Sequence, residues 1–434
     1  MKYNSIPAGF FVRNRQKLVS RMKSNAMAVF VSNDEMPRNG DQNFPFRQNS
    51  DFFYLTGIDQ EESILCIFPN HPNEKMREIL FVKKTNEHIA VWYGHKYTKK
   101  EATVTSGIKN VMWLEEFDAL FPELMFQAKS VYLNLQENSR YFTEIARNER
   151  RFADKVQRDY PLQKYRRVAA ILTELRLVKE PEELDALKKA CDITCKAFLK
   201  SVKAIKPGAM EYEVEAELVA EMIRNGATGH SFAPIIAGGK SACVLHYIEN
   251  NKKLQDGDLV LMDFGAEYAN YAGDCSRTVP VNGKFSPRQL EVYEACLSVY
   301  KNAIKLLVPG NTINLAQNEV VKMMEEQFVK LGLFTQEELD HQDPEAPLYK
   351  KYYMHSVSHF IGLDVHDVGG RDVKFEEGMV LSCEPGIYIP EEGIGIRIET
   401  DVVVADEPVD LMNNLPVEVA DIENLFKNNN KVNG

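Results

Sequence analysis

The feature that most constrains the fold of this chain is a set of carboxylates placed at the ends of apolar runs in its C-terminal half. The run 259–262 ends on Asp263, and Asp274 follows eleven residues later. A carboxylate in such a run is costly to bury unless a cation or a network of donors satisfies it. We therefore expect a hairpin that brings these two side chains to one place.

The same arrangement occurs a second time further along the chain. The run 379–382 leads into Glu384, and the run 394–398 leads into Glu399, with a turn predicted near residues 391–393. One such carboxylate alone is more often a core residue paired with an arginine or capping a turn. Four of them in matching contexts make that interpretation poor.

Histidines add to this pattern. His355, His359 and His366 fall within twelve residues, and His246 lies in a second short window. A lone histidine is more often a satisfied core residue than a ligand, but three so close together favour a site.

Four carboxylates and one imidazole suit two divalent cations better than one structural zinc ion, which prefers thiolate and imidazole ligands. An oxygen-rich site suits Mn²⁺, with zinc, cobalt or iron as alternative occupants. Hydrolysis by a metal-activated water is therefore the leading hypothesis. The candidate ligands are Asp263, Asp274, His359, Glu384 and Glu399.

The chain has 434 residues, more than one hydrophobic core of about 250 to 300 residues accommodates, so we expect two domains. Strands predicted at 28–32, 64–68 and 78–82 alternate with helical patterns, which is typical of an α/β domain. The predicted domains are residues 1–165 and 166–434. A helix is predicted at 166–177 and another from Pro181, where Pro at the first helical position favours a helix start.

Composition excludes several classes of protein. The net charge of −11 argues against nucleic acid as a partner, since phosphate binding needs clustered Lys and Arg. No stretch approaches the roughly 20 apolar residues of a membrane helix, and the N-terminus does not read as a secretory signal. Seven cysteines without CxxC spacing indicate reduced thiols, so the expected location is the cytoplasm.

The stretches 355–367 (HSVSHFIGLDVHD), 384–386 (EPG) and 395–399 (GIRIE), together with Asp263 and Asp274, resemble the pita-bread metallopeptidases. The resemblance is greatest to the Xaa-Pro aminopeptidases (aminopeptidase P) and to their relative prolidase. Residues 47–57 are similar to part of bacterial aminopeptidase P, which favours an aminopeptidase. The resemblance implies an α/β N-terminal domain followed by an α+β pita-bread catalytic domain.

The resemblance also implies roles for the five ligands. Asp263 would bind one metal ion in bidentate fashion, Asp274 and Glu399 would bridge two ions, and His359 and Glu384 would complete the second. A hydroxide held between the ions would attack the scissile carbonyl. Glu384 would also shuttle the proton.

Further roles concern residues around the metal ions. The resemblance implies that His246 and His366 contact the substrate backbone or the developing charge, and that Arg397 orients the carboxylates. It also implies that Trp92 reaches the active site of a neighbouring subunit in a homodimer or homotetramer, with burial in its own domain as the alternative. Phe232 and Tyr388 are candidate walls for a proline ring, or else core residues.

Three functions stay open at this point. An Xaa-Pro aminopeptidase would cleave the bond before a proline at position two of a peptide. A prolidase would share the metal site but close the pocket around a free carboxylate, and a methionine aminopeptidase usually lacks so large an N-terminal domain. A non-catalytic pita-bread module that binds proteins is the remote alternative, because the five ligands are all present.

Overall fold

The computed structural model describes residues 3–137 and 143–427. The chain divides into two compact units, one formed by Asn4–Arg176 and the other by Leu177 onward with the N-terminal Tyr3. This division lies eleven residues after the boundary predicted at 165/166, because the intervening helix is tied to the first unit. The Tyr54 hydroxyl donates to the carbonyl of Leu175 at 3.1 Å. The domain limits themselves stay a prediction.

The N-terminal unit contains a mixed six-stranded sheet. The strands of this unit are β1 Ala26–Val31, β2 Pro37–Asn39, β3 Gln42–Asn43, β4 Ile64–Ile67, β5 Glu78–Val82, β6 Asn110–Trp113, β7 Ser130–Leu133 and β8 Tyr165–Arg167. The sheet order is β6-β5-β4-β1-β7-β8, and β2 pairs with β3 separately. Strand β1 is antiparallel to β4 and parallel to β7. The strands predicted at 28–32, 64–68 and 78–82 are confirmed as β1, β4 and β5.

Helices complete the N-terminal unit. They are α1 Ala8–Arg21, α2 Ser50–Thr56, α3 Glu87–Tyr93, α4 Lys99–Ser106, α5 Phe117–Gln127, α6 Asn148–Asp159 and α7 Ala169–Leu177. Helix α2 begins where the Asn49 side chain accepts the backbone N–H of Phe52, and it ends at Gly57, whose φ of 66° is left-handed. The helix predicted from residue 166 is wrong at its start, because strand β8 pairs in parallel with β7 there.

The helices of the C-terminal unit are α8 Pro181–Ser201, α9 Glu211–Arg224, α10 Pro287–Ala303, α11 Ile313–Lys330, α12 Gln336–Asp340 and α13 Val419–Lys427. The predicted start at Pro181 is confirmed. Proline occupies the first turn of α8, and Glu183 reaches back to the backbone N–H of Glu180 at 3.0 Å. That contact satisfies a donor that the helix itself leaves unpaired.

Short strands make up the rest of this unit. They are β9 Gly229–His230, β10 Ile235–Gly238, β11 Leu259–Phe264, β12 Ala266–Tyr268, β13 Tyr271–Ala272, β14 Cys275–Pro280, β15 Val380–Cys383, β16 Gly386–Ile389, β17 Ile394–Arg397, β18 Thr400–Val403 and β19 Val409–Asp410. They form the sheets β10-β11-β14, β13-β12-β9, β15-β18-β19 and β16-β17. The mixture of helices and sheets confirms the predicted α/β plus α+β fold class.

Strand register brings the predicted carboxylates together in pairs. Strands β11 and β14 are antiparallel with Asp263 opposite Ser276, and Asp274 directly precedes β14. The β15–β18 and β16–β17 ladders share one register, with Cys383 opposite Thr400 and Gly386 opposite Arg397. Glu384 and Glu399 therefore occupy opposing positions in the gap between these two ladders.

Extensive apolar burial holds these strands in place. Strands β15, β16 and β17 are buried at every position, and they join the hydrophobic core that includes Phe198, Phe264 and Tyr293. Burial of apolar area on this scale is the main favourable term in folding. No helix in the described part of the chain is long and apolar enough to cross a membrane.

Candidate active site

Asp274, His359 and Glu399 form a compact group of potential metal ligands. Ligand atoms of the three residues lie within 4.8 Å of one another, and all three residues are buried. The Nε2 atom of His359 lies 3.4 Å from Asp274 Oδ2 and 3.5 Å from Glu384 Oε1. Four of the five predicted ligands thus come together from connecting segments: Asp274 just before β14, His359 in the segment before β15, Glu384 between β15 and β16, and Glu399 between β17 and β18.

The ring of His359 is oriented for binding a cation. Its Nδ1 lies 3.1 Å from the carbonyl oxygen of Phe360, which can only accept a hydrogen bond, so Nδ1 carries the hydrogen. Its backbone N–H donates to Ser382 Oγ at 3.0 Å. The Nε2 lone pair consequently points towards the carboxylates, which is the tautomer that a metal ligand requires.

Asp263, the fifth predicted ligand, is held by Arg397. The Nη2 of Arg397 donates to Asp263 Oδ2 at 2.6 Å. The other oxygen, Oδ1, is buried and has no hydrogen-bond partner within the described residues. An unsatisfied buried carboxylate oxygen is costly, and a divalent cation is the partner that fits it.

Arg397 connects Asp263 to the other pair of strands. Its Nε donates to Ser276 Oγ at 2.8 Å, and the Ser276 hydroxyl donates to Glu399 Oε2 at 2.6 Å. Its Nη1 donates to the hydroxyl of Tyr388 at 2.7 Å. The sequence prediction missed Ser276, whose only signal is its position opposite Asp263 in the β11–β14 register.

The electrostatics of the group favour added positive charge. Burial raises the pKa of Asp274 well above its ordinary value, and the charges of Glu399 and Asp263 raise it further. Burial likewise raises the pKa of Glu399, followed by repulsion from Glu384. Among the described residues Arg397 is the cation bonded to this group. Four carboxylates around one guanidinium fit divalent metal ions, which would restore the charge balance.

A further buried carboxylate supports the group from behind. Asp401 Oδ2 accepts the backbone N–H of Asp274 at 3.0 Å and the thiol of Cys191 at 3.3 Å. Burial raises the pKa of Asp401 to about 8. The sequence prediction missed this residue, although its place two positions after Glu399 puts it on the same face of the chain.

Four of the five ligands, Asp263, Asp274, His359 and Glu384, line a cavity of about 270 Å³ in the C-terminal unit. His246 and His366 also line it, and both are exposed. The rings of His359 and His366 meet edge to face with centroids 4.4 Å apart. The apolar part of the wall consists of Phe232, Ala233, Ile235, Leu245, Ile248 and Val365.

Tyr388 lies elsewhere than predicted. Its side chain is fully buried and is not among the residues that line the cavity, so it is not the expected wall. Besides accepting from Arg397, its hydroxyl lies 2.8 Å from His355 Nε2. The His355 Nδ1 donates to the carbonyl of Ser356 at 2.8 Å, and burial lowers the pKa of His355 to about 3. Tyr388 therefore joins Arg397 to a neutral His355.

Trp92 belongs to helix α3 of the N-terminal unit. Its side chain is 74% exposed, and the neighbouring Val91 and Tyr93 are 80% and 71% exposed. The alternative that this ring is buried in its own domain is therefore wrong.

Comparison with known proteins identifies the family. Residues 185–406 match metallopeptidase family M24, and residues 11–132 match the N-terminal domain of aminopeptidase P. The chain belongs to family M24. Its match to the aminopeptidase P domain confirms the predicted branch of the pita-bread fold and a metallo-exopeptidase.

Several known proteins are similar to this chain over nearly its whole length. The Xaa-Pro aminopeptidase of Haemophilus influenzae is 35% identical over 97% of this chain and 98% of its own. The Xaa-Pro aminopeptidase of Escherichia coli is 35% identical over 91% and 92%. Among solved structures, Pseudomonas aeruginosa aminopeptidase PepP superimposes with a TM-score of 0.89 at 32% identity, covering 98% of this chain and 99% of its own. These matches favour the aminopeptidase over prolidase.

Proposed function

We propose that this enzyme hydrolyses the bond between an N-terminal residue and a following proline, using two divalent metal ions, with Mn²⁺ as the occupant. The observation that carries the proposal is the buried group of four carboxylates and one imidazole around a single guanidinium. Two relatives that match over more than nine-tenths of their length are named Xaa-Pro aminopeptidases, which supports the substrate.

The ligands that would hold the ions are Asp263, Asp274, His359, Glu384 and Glu399. Bound divalent ions lower the pKa of water towards neutrality and polarise a carbonyl oxygen. The unpartnered Oδ1 of Asp263 and the Nε2 of His359 are the two atoms whose surroundings fit a cation most clearly. Two ions also match the excess of carboxylates better than one.

Glu384 is positioned to move the proton. Its carboxylate lines the cavity, and its side chain is 17% exposed, so a peptide bond can reach it. Ser382 Oγ donates to its Oε1 at 3.3 Å, and the Nδ1 of His355 lies 3.7 Å from its Oε2. Glu384 can take a proton from the attacking water and deliver it to the proline nitrogen as the bond breaks.

His246 and His366 would bind the peptide backbone. Both rings line the cavity near its ligands, and an imidazole N–H can donate to a substrate carbonyl, including the oxygen that gains negative charge. Arg397 and Tyr388 would hold Asp263 and His355 in place. Catalysis therefore combines ligands, two substrate-binding histidines and a buried arginine.

The apolar wall of the cavity explains how proline could be accepted. A proline residue has no backbone N–H to satisfy, and its ring is apolar. The wall around Phe232 and Ile235 supplies apolar contact for such a ring. A cavity of about 270 Å³ is small for a polypeptide, which suits removal of one terminal residue.

We propose in addition that the enzyme is a cytoplasmic homodimer or homotetramer without nucleic-acid or membrane partners. The exposed ring of Trp92 supports an assembly in which it contributes to the active site of a neighbouring subunit. The net charge of −11 is unfavourable for nucleic acid.

The decisive experiment is peptide hydrolysis after reconstitution of the metal-free protein with Mn²⁺. We expect release of free alanine from Ala-Pro-Ala-Ala and none from Ala-Ala-Ala-Ala. Cleavage of the dipeptide Ala-Pro alone would indicate a prolidase instead. Absence of cleavage with Mn²⁺, Zn²⁺ and Co²⁺ would overturn the proposal in favour of a binding module.

A further inference from the structure

A fully buried ion pair lies beneath the loop that carries His359 and His366. Lys179 Nζ lies 2.9 Å from Asp367 Oδ2, and both side chains are 1% exposed. Lys179 precedes helix α8, and its backbone N–H donates to the carbonyl of Gly378 at 3.0 Å. A buried pair of this kind is not needed for stability, because apolar residues of similar volume usually serve as well. Its presence therefore calls for another explanation.

The acidic partner closes the base of the loop. The N–H of Asp367 donates to the carbonyl of Phe360 at 2.9 Å, so the residues that follow His359 and His366 are bonded to each other. This closure is what brings the rings of these two histidines to a centroid distance of 4.4 Å. Movement of Asp367 would move the backbone of His366 directly.

Close packing at Gly362 fixes the position of the pair. A Cβ atom built on Gly362 would lie 2.1 Å from Asp367 Oδ2 and 3.0 Å from Lys179 Nζ. Its carbonyl accepts the N–H of Ala272 at 2.9 Å, two residues before the ligand Asp274. The carboxylate of Asp367 thus sits where any side chain at position 362 would displace it.

A second buried carboxylate interacts with the charge of the lysine. Glu183, 1% exposed, accepts the hydroxyl of Tyr271 at 3.0 Å. Burial raises the pKa of Glu183, the charge of Lys179 opposes this rise and the charge of Asp367 adds to it, so all three groups share one electrostatic environment. Lys179 therefore connects helix α8 and strand β13 to the histidine loop.

We propose that Lys179 and Asp367 are positioning residues that hold His366 in its catalytic orientation. This inference rests on the proposed function for its catalytic consequence, but the geometric part can be measured without turnover. Neither residue lines the cavity, so any effect of the pair on catalysis is indirect.

Two variants test the pair by different routes. Lys179→Met removes the charge, and Gly362→Ala keeps both charges but pushes the carboxylate away. Gly370→Ala is the matched glycine control, because its Cβ would meet only Val373 at 4.0 Å. Lys96→Met is the matched lysine control, because it breaks a 2.6 Å pair with Glu61 in the other unit.

The first readout is the Cε1–H resonance of His366 in the full-length, metal-free chain with ¹³C-labelled histidine, assigned by its loss in His366→Ala. We expect Lys179→Met and Gly362→Ala to shift this resonance while the two controls leave it in place. An unchanged His366 resonance in both test variants would overturn the inference. Should Lys179→Met fail to fold, Gly362→Ala decides the question.

The second readout is kcat/KM for Ala-Pro-Ala-Ala. We expect each test variant to lower it about tenfold to a hundredfold, with no further loss when it is combined with His366→Ala. Losses that multiply in the double variants would overturn the inference. An inactive wild-type enzyme would refute the proposed function alone, since the resonance would still decide the positioning role.

Discussion

Each unit of this molecule has a cluster of buried charges, and the two clusters are built differently. In the N-terminal unit, Glu61 is 4% exposed and lies 2.6 Å from Lys96 Nζ and 3.5 Å from Lys83 Nζ. In the C-terminal unit, the four predicted carboxylates share the single guanidinium of Arg397. In the first cluster two lysines balance the charge of Glu61. In the second cluster one guanidinium leaves four carboxylates with an excess of negative charge.

The pKa values of the two clusters shift in opposite directions. Burial acts to raise the pKa of Glu61, but the hydrogen bond and charge of Lys96 outweigh it, and the net pKa is lowered. Burial and mutual repulsion raise the pKa of Asp274 and Glu399. The difference teaches that burial alone does not mark a functional carboxylate. A functional carboxylate is marked by a deficit of neighbouring positive charge, because metal ions from solution have to supply the missing charge.

The largest effect is expected from removing a ligand. Glu399→Ala should lower kcat/KM for Ala-Pro-Ala-Ala by about 10³-fold or more, while circular dichroism shows a folded chain. Glu61→Ala is the matched control, and it should keep kcat/KM within about a factor of two while lowering the free energy of unfolding. Equal turnover by Glu399→Ala and the wild type would break the comparison.

The second prediction concerns pH. Burial raises the pKa of Glu183 to about 7 from an ordinary 4.5. A raised folded-state pKa means that its stabilising contribution is full below pH 4.5 and is lost as the pH rises through about 7. Relative to Glu183→Gln, the wild type should lose about 3 kcal/mol of unfolding free energy over that window.

Urea unfolding at several pH values measures this loss. Glu61, whose pKa is lowered, contributes stability above its ordinary pKa that is lost as the pH falls. Relative to Glu61→Gln, the wild type should therefore lose unfolding free energy as the pH falls, whereas relative to Glu183→Gln it loses unfolding free energy as the pH rises. Parallel pH profiles for the two variants would contradict the opposite pKa shifts of Glu183 and Glu61.

The third prediction tests the single guanidinium. Arg397→Met removes hydrogen bonds to Asp263, Ser276 and Tyr388 and should lower kcat/KM about tenfold to a hundredfold. Arg288→Met, which breaks a surface pair with Glu392, serves as the matched control and should change little. Comparable losses in both variants would mean that Arg397 has no special role.

The smallest effect is expected at Trp92. Because the ring is exposed, Trp92→Ala should change the unfolding free energy by under about 0.5 kcal/mol. Loss of a contact to the neighbouring active site should lower kcat/KM about fivefold, as expected for about 1 kcal/mol of ring contact. Phe126→Ala, which removes another exposed ring, should leave kcat/KM unchanged. Light scattering would show whether either variant dissociates.

Much of the active site could be predicted because three of the four carboxylates, Asp263, Glu384 and Glu399, follow apolar runs. Asp263 and Glu399 stand out in this way from the sequence alone. Ser276 and Asp401 could not be predicted from apolar runs, since their roles depend on strand register and on contacts with residues more than a hundred positions away. A serine in an apolar strand carries no signal until its partner strand is known.

The fold shows the same limit. Helix α8 was predictable from Pro181 and the acidic first turn, both of which are local signals. Arg166 and Arg167 were predicted as helix but lie in strand β8, which pairs with β7, because a long-range ladder overrides local propensity. Tyr388 was misplaced for a similar reason, since strand alternation does not say which side of β16 faces the cavity.

The most direct test of the account that metal ions supply the missing positive charge is calorimetric titration of the metal-free protein with Mn²⁺, with bound metal counted by elemental analysis. The wild type should bind two ions, Glu399→Ala should lose binding, and Glu61→Ala should bind as the wild type does. No bound metal in the wild type, or unchanged binding in Glu399→Ala, would contradict the account.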